Sequence, residues 1–172
     1  MAKTPLHDLP LFFDKEQMQQ IDRHLLRLAD RTGAPLVMLA DISGRLILYR
    51  GRLSSVKSTG LAALAAGGFA AALEIGSFLG LHNNFQHQLL EGPLANLYIV
   101  QVGPELLLLT AYTHNTTFGM VRLFVKETHK RIWVIAQAAA KIREEEAAKA
   151  AELEDGFGDE LNQQLDELFA DE

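Results

Sequence analysis

The chain has no cysteine. That excludes a disulfide framework, a thiolate zinc site and a cysteine nucleophile, and it suits a reducing cytoplasm. Signatures of phosphate cradling and hydrolysis are missing as well. No G-x-x-x-x-G-K-[ST], G-x-G-x-x-G, H-E-x-x-H or G-x-S-x-G occurs, so neither a resident nucleotide nor a catalytic centre is expected. The six histidines, at 7, 24, 82, 87, 114 and 129, never share the i, i+2 or i, i+4 spacing that turns two imidazoles to one metal, and no metal or cofactor is expected. Met1 to Pro10 carries Lys3 and Asp8 without an apolar core of signal-peptide length. No secretion signal is read there, and a cytoplasmic location is the expectation.

What is present is a length of 172 residues with 48% apolar and 22% charged residues, enough for one compact domain and an appendage. The charge is divided. Residues 1–143 hold 15 Lys and Arg against 10 Asp and Glu, whereas 144–172 hold 12 acids and only Lys149. A basic body therefore carries an acidic tail. The composition predicts an arm over 1–13, a domain over 14–145 and an extension over 146–172.

A first helix starts at the capping box Asp14–Gln17, keeps Met18, Ile21, Leu25 and Leu28 on one face, and stops at Gly33 and Pro35. Leu36 to Ala40 reads as a strand buried on both faces, and Asp41-Ile42-Ser43-Gly44 is turn chemistry leading into Leu46 to Tyr49. The turn accounts for Asp41 and Ser43 through side-chain to backbone hydrogen bonds, leaving neither for catalysis. Three further strand-like runs, Phe85 to Leu90, Leu94 to Val102 and Leu106 to Tyr112, are separated by Gly92-Pro93 and Gly103-Pro104 and form a predicted antiparallel meander. A last helix follows Phe118, with Val121, Val125, Thr128, Ile132, Ile135, Ala139 and Ile142 among its inward positions. The predicted fold class is α/β, an α+β sandwich of order α-β-β-α-β-β-β-α.

The second helix, expected from about Gly60 to Leu79 with Ser58 or Thr59 as its cap, is the most informative element. Leu61, Leu64, Gly68, Ala72, Ile75 and Leu79 share a face expected to meet the sheet. The other face is Ala63, Ala66, Gly67, Ala70, Glu74 and Ser77, with Glu74 the single charge from Leu61 to Leu79. An Ala-rich surface helix, a membrane span and a contact with protein each suit such a face. Contact is the favoured reading, because Ala and Gly give little transfer energy and small residues allow close approach. Beyond a joint expected at Gly156-Phe157-Gly158, a short helix over 159–169 would present Leu161, Leu165, Leu168 and Phe169 on one stripe. So short a helix is marginal alone and suits docking, with a solubilising tail as the alternative.

Arg45, Arg50, Arg52 and Lys57 cluster around the second strand and the loop after it, and Arg122, Lys126, Lys130 and Arg131 line the last helix. Nucleic acid is disfavoured, since the surplus is modest and the acidic tail competes with phosphate. An acidic tail or acidic partner resting on the basic surface is the sharper possibility.

Several phrases in order now carry a resemblance: Gly33-Ala34-Pro35, Leu39-Ala40-Asp41-Ile42-Ser43-Gly44, the small-residue helix Leu61 to Leu79, Gln88-Leu89-Leu90-Glu91-Gly92, and Phe118-Gly119-Met120-Val121-Arg122-Leu123. Over roughly residues 14–145 the chain resembles the Roadblock family, and with its acidic leucine-bearing extension it is similar to the bacterial polarity regulators within it. The resemblance implies a five-stranded antiparallel sheet with one helix on one face and two on the other. It implies a homodimer joined edge to edge through Phe85 to Leu90, with Phe85, His87, Leu89, Ala71 and Phe78 at the interface. It also implies a regulator, with no catalytic residues of its own, that binds a Ras-like small GTPase and stimulates hydrolysis by repositioning the GTPase's own residues, in polarity or motility signalling. Expected contacts are Ala63, Ala66, Gly67, Ala70 and Glu74, with Leu161, Leu165, Leu168 and Phe169 as a second docking element. Arg50 or Arg52 reaching the partner's nucleotide stays open, and a dimeric scaffold or small-ligand sensor is the alternative.

Overall fold

A computed structural model describes residues 12–81 and 85–169, the side chains as far as Lys149. Helix α1 (Lys15–Thr32) is capped as its sequence predicts: the Gln17 backbone N–H donates to Asp14 Oδ1 at 2.8 Å and the Asp14 N–H donates to Gln17 Oε1 at 3.0 Å. Gly33, at φ 61°, ends it in the left-handed conformation that glycine adopts without strain. Strands β1 (Leu36–Asp41) and β2 (Leu46–Gly51) form the expected hairpin. Its turn is held by Asp41, which accepts from Ser43 Oγ at 2.6 Å and from the Arg45 N–H at 2.8 Å. Helix α2 (Ser55–Phe78), strands β3 (His87–Leu90), β4 (Ala95–Val102) and β5 (Leu106–Thr113), and helix α3 (Phe118–Phe169) complete the order.

The five strands make one antiparallel sheet in the order β2-β1-β5-β4-β3. β1 lies inside it and is buried throughout, as its unbroken apolar run requires. Pleating sends Leu36, Met38, Ala40, Leu107, Leu109 and Ile99 to one face, where they pack with Ala62, Ala65, Ala66 and Phe69 of α2. On the other face lie α1 and the first part of α3, tied together by the Arg27–Glu127 ion pair and by Arg31 over the Phe124 ring. Tyr98 of β4 meets Phe118 edge-on at 5.1 Å on that side. One helix on one face and two on the other is the expected sandwich.

Three expectations about the helices need correction. α2 begins a turn earlier, with Ser54 as N-cap; Ser58 Oγ and Thr59 Oγ1 instead donate to carbonyls four residues back, inside the helix. The joint expected at 156–158 is helical, so residues 159–169 continue α3 rather than forming a separate helix. The Glu, Ala and Lys of 144–153 propagate a helix readily, and each glycine costs only about 1 kcal/mol against alanine once a helix is running. Contacts divide the chain into a compact unit, Phe13–Ala136, and a second unit that takes in the residues from Gln137 onward.

Candidate functional site

The third correction concerns which side of α2 meets the sheet. Buried positions on α2 are Ser58, Ala62, Ala65, Ala66, Phe69 and Gly76, spaced by three, four and seven. Of the large residues expected to pack inward, Leu61 is half-buried against the core, whereas Leu64 is 76% exposed, Ile75 59% and Leu79 66%. The alanines let the helix lie close on the β1–β5 surface, a fit that larger side chains would not allow. Because α2 is apolar on every side, its 3.6-residue period carries no direction, and size misled the reading.

The outward half of α2 has two flanks. Ala63, Ala70 and Glu74 form a small-residue flank toward the β1–β2 turn, where a Cβ on Gly44 (φ 89°) would fall 2.7 Å from Ala63 Cα. Leu64, Ala71, Ile75 and Phe78 form a larger flank toward β3. Leu61 marks that direction by lining a shallow groove with Leu90 and Leu97. Gly67 lies between the flanks, with nothing within 4 Å of where a Cβ would be. Ala66 is only 5% exposed and belongs to the core. It leaves the set of surface contacts.

β3 is an edge strand paired only with β4, so one side of its backbone is open among the described residues. The expected interface residues gather near this edge. Phe78 stands 88% exposed, and the Phe85 ring seats on Gly76, where an added Cβ would come within 2.7 Å of it. His87 stacks edge-on to Tyr98 at 5.8 Å, and Leu89 is half-buried opposite Tyr98. An open strand edge and an exposed apolar helix flank thus lie side by side on one margin. Leu161, Leu165, Leu168 and Phe169 fall where only the α3 backbone is described.

The arginines of the first hairpin are engaged elsewhere. Arg50 Nε donates to Asp22 Oδ1 of α1 at 2.6 Å, which raises the Arg50 pKa further. That places its guanidinium on the α1 side of the sheet, away from α2. Arg45 pairs with Asp41 at 3.0 Å. Among the described residues no three His, Asp or Glu converge to hold a metal. α2 is long and apolar enough to cross a membrane, yet one side of it forms half of the core under the sheet.

The molecule is therefore an α/β sandwich distinguished by an apolar helix flank beside an open sheet edge. Residues 20–111 match the Roadblock/LC7 domain, and the chain belongs to that family. Among solved structures it is similar to Myxococcus xanthus MglB, at 31% identity and a TM-score of 0.65 over 69% of this chain and 96% of that one. It is also similar to the gliding protein MglB of Thermus thermophilus, at 25% identity and a TM-score of 0.69 over 76% of this chain and 98% of that one. A Roadblock/LC7 domain from Streptomyces avermitilis shares the fold at 15% identity and a TM-score of 0.55, over 70% of this chain and 95% of that one. No curated protein matches.

Proposed function

We propose that the protein is a cytoplasmic homodimeric regulator of the MglB type, which binds a Ras-like small GTPase and stimulates its GTP hydrolysis in polarity or motility signalling. The observation that carries this reading is the exposed apolar surface of α2 beside the unpaired edge of β3. A twin arriving at β3 continues the sheet and covers Leu64, Ala71, Ile75 and Phe78 with its own copies. The small-residue flank, Ala63, Ala70 and Glu74, then remains open with the adjoining Gly67 as the platform for the GTPase. Leu161, Leu165, Leu168 and Phe169 are a separate docking element for that partner, an assignment resting on sequence alone.

Stimulation acts through the GTPase's own catalytic residues. Arg50 is tied to Asp22 on the opposite face of the sheet, which argues against Arg50 as an inserted arginine finger. The regulator must then bind the hydrolysis-competent conformation more tightly than the resting one. The test is a pull-down from native lysate with the full chain, followed by GTP hydrolysis by the captured GTPase with and without it. At least tenfold acceleration is expected. A monomer in light scattering, or unchanged hydrolysis at saturating regulator, refutes the reading.

A further inference from the structure

On the face of the sheet opposite α2, a groove of about 590 Å³ runs between β3–β4 and the first part of α3. Its floor is Tyr98 and Val100. Its α3 wall presents Arg122, Lys126 and Lys130, all exposed. No carboxylate lines it, and none of the three bases meets one among the described residues. On the same α3–α1 side, Arg27 pairs with Glu127 and Arg31 lies over the Phe124 ring. Leu123 and Val125 add apolar surface, so the groove pairs three free cations with a greasy lining.

We propose that this groove receives the acidic, leucine-bearing C-terminal segment, residues 159–172, from a second copy of the chain. Charge complementarity carries the assignment. The segment 144–172 bears 12 carboxylates against one lysine, and its last 14 residues alternate Asp and Glu with Leu161, Leu165, Leu168 and Phe169. Carboxylates meet Arg122, Lys126 and Lys130 while leucines cover Tyr98, Val100 and Leu123, a match that a bare phosphate would fill only in part. The segment comes from a second copy, and the heavy–light pairing measured below separates that contact from one within a single chain. Pairing through β3 uses the in-plane backbone groups of that strand and leaves the floor's side chains open. The contact is thus compatible with the dimer above and independent of any GTPase; it is where the docking segment rests when no such partner is bound.

The test uses the full chain alone. Leu165 is replaced by the photo-crosslinker p-benzoylphenylalanine in isotopically heavy chain, which is mixed with unlabelled chain, allowed to exchange and irradiated. Mass spectrometry should find heavy–light peptide pairs joining position 165 to residues 119–130. Their yield should fall at least fivefold between about 0.05 M and 0.5 M ionic strength, as screened charge requires. The triple variant Arg122→Glu, Lys126→Glu, Lys130→Glu should lower the yield about tenfold. The reversal Glu160→Lys, Asp166→Lys, Glu167→Lys in the same chain should restore it, which also shows that the triple variant folds. Links confined to heavy–heavy pairs, links mapping to α2, or a yield indifferent to salt and to the triple variant overturn the proposal, as does failure of the charge swap to recover it. None of these outcomes bears on GTP hydrolysis, so the two readings fail separately.

Discussion

If the flank of α2 toward β3 is where two copies meet, truncating its most prominent side chain should weaken association and spare the fold. Phe78 is 88% exposed in the protomer, so nearly all of its surface is available to a partner. Burying a phenylalanine is worth about 1.5 to 3 kcal/mol. A two-fold symmetric interface buries it twice, giving roughly 3 to 6 kcal/mol, and a middle value of about 4 kcal/mol corresponds to nearly a thousandfold in Kd. Phe78→Ala should therefore raise the dimer dissociation constant by about 10³, measured by sedimentation equilibrium, with little change in the urea midpoint of the isolated protomer. Leu26→Ala is the control, since Leu26 is 40% exposed on α1, behind the opposite face. A shift below tenfold for Phe78→Ala, or an equal shift for Leu26→Ala, refutes the placement of the interface on this flank.

Three other outcomes follow from particular contacts. Trp133 is the chain's single tryptophan, and a Cβ on Gly103 (φ 61°) would fall 1.9 Å from its ring; Gly103→Ala should cost about 3 kcal/mol from backbone strain and displaced packing, lower Tm by roughly 6 to 12 °C and red-shift the emission, and an unshifted spectrum at unchanged Tm would contradict the packing. His24 has its pKa lowered, first by burial and then by Arg131, Arg23 and Arg27, with Glu127 opposing. Below its usual value near 6.5 the unfolded chain takes a proton that the folded chain refuses, so stability declines as pH falls through that range and levels off below the folded value. His24→Gln should reduce this decline in urea titrations between pH 5 and 7.5, with His129, whose pKa burial also lowers, retaining part of it; an identical slope would locate the proton uptake elsewhere. Arg50→Ala and Arg52→Ala should leave stimulated hydrolysis within about tenfold, whereas a loss of 10³ or more at saturating regulator would reveal a supplied arginine.

Where a pattern had one physical solution, the sequence was readable. The Asp14–Gln17 box, the Gly33 stop and the Asp41-to-Arg45 turn each satisfy backbone groups that would otherwise lack partners, and each stands in the structure as its residues require. The same holds for β1, whose apolar run has a place only inside the sheet. The long α3 was less legible because helix propagation is nearly neutral: the Glu, Ala and Lys after 144 favour it enough to carry it through Gly156 and Gly158.

The apolar character of α2 is legible in its composition, whereas its orientation on the sheet is not. A helix apolar all round must be covered on both sides, and that much composition dictates. Which side meets the sheet depends on how near the sheet lies, and a close approach favours Ala62, Ala65 and Ala66 over Leu64 and Ile75. Periodicity and size send the large residues inward, because burying them releases the most free energy. The assignment fails when a second protein is the other half of the core: Leu64, Ile75 and Phe78 then gain the same burial at an interface. On this argument the outward leucine, isoleucine and phenylalanine are a sharper mark of self-association than the small residues beside them. Replacing Gly67 with Arg should accordingly block the platform, while Phe78→Ala should loosen the pair beneath it.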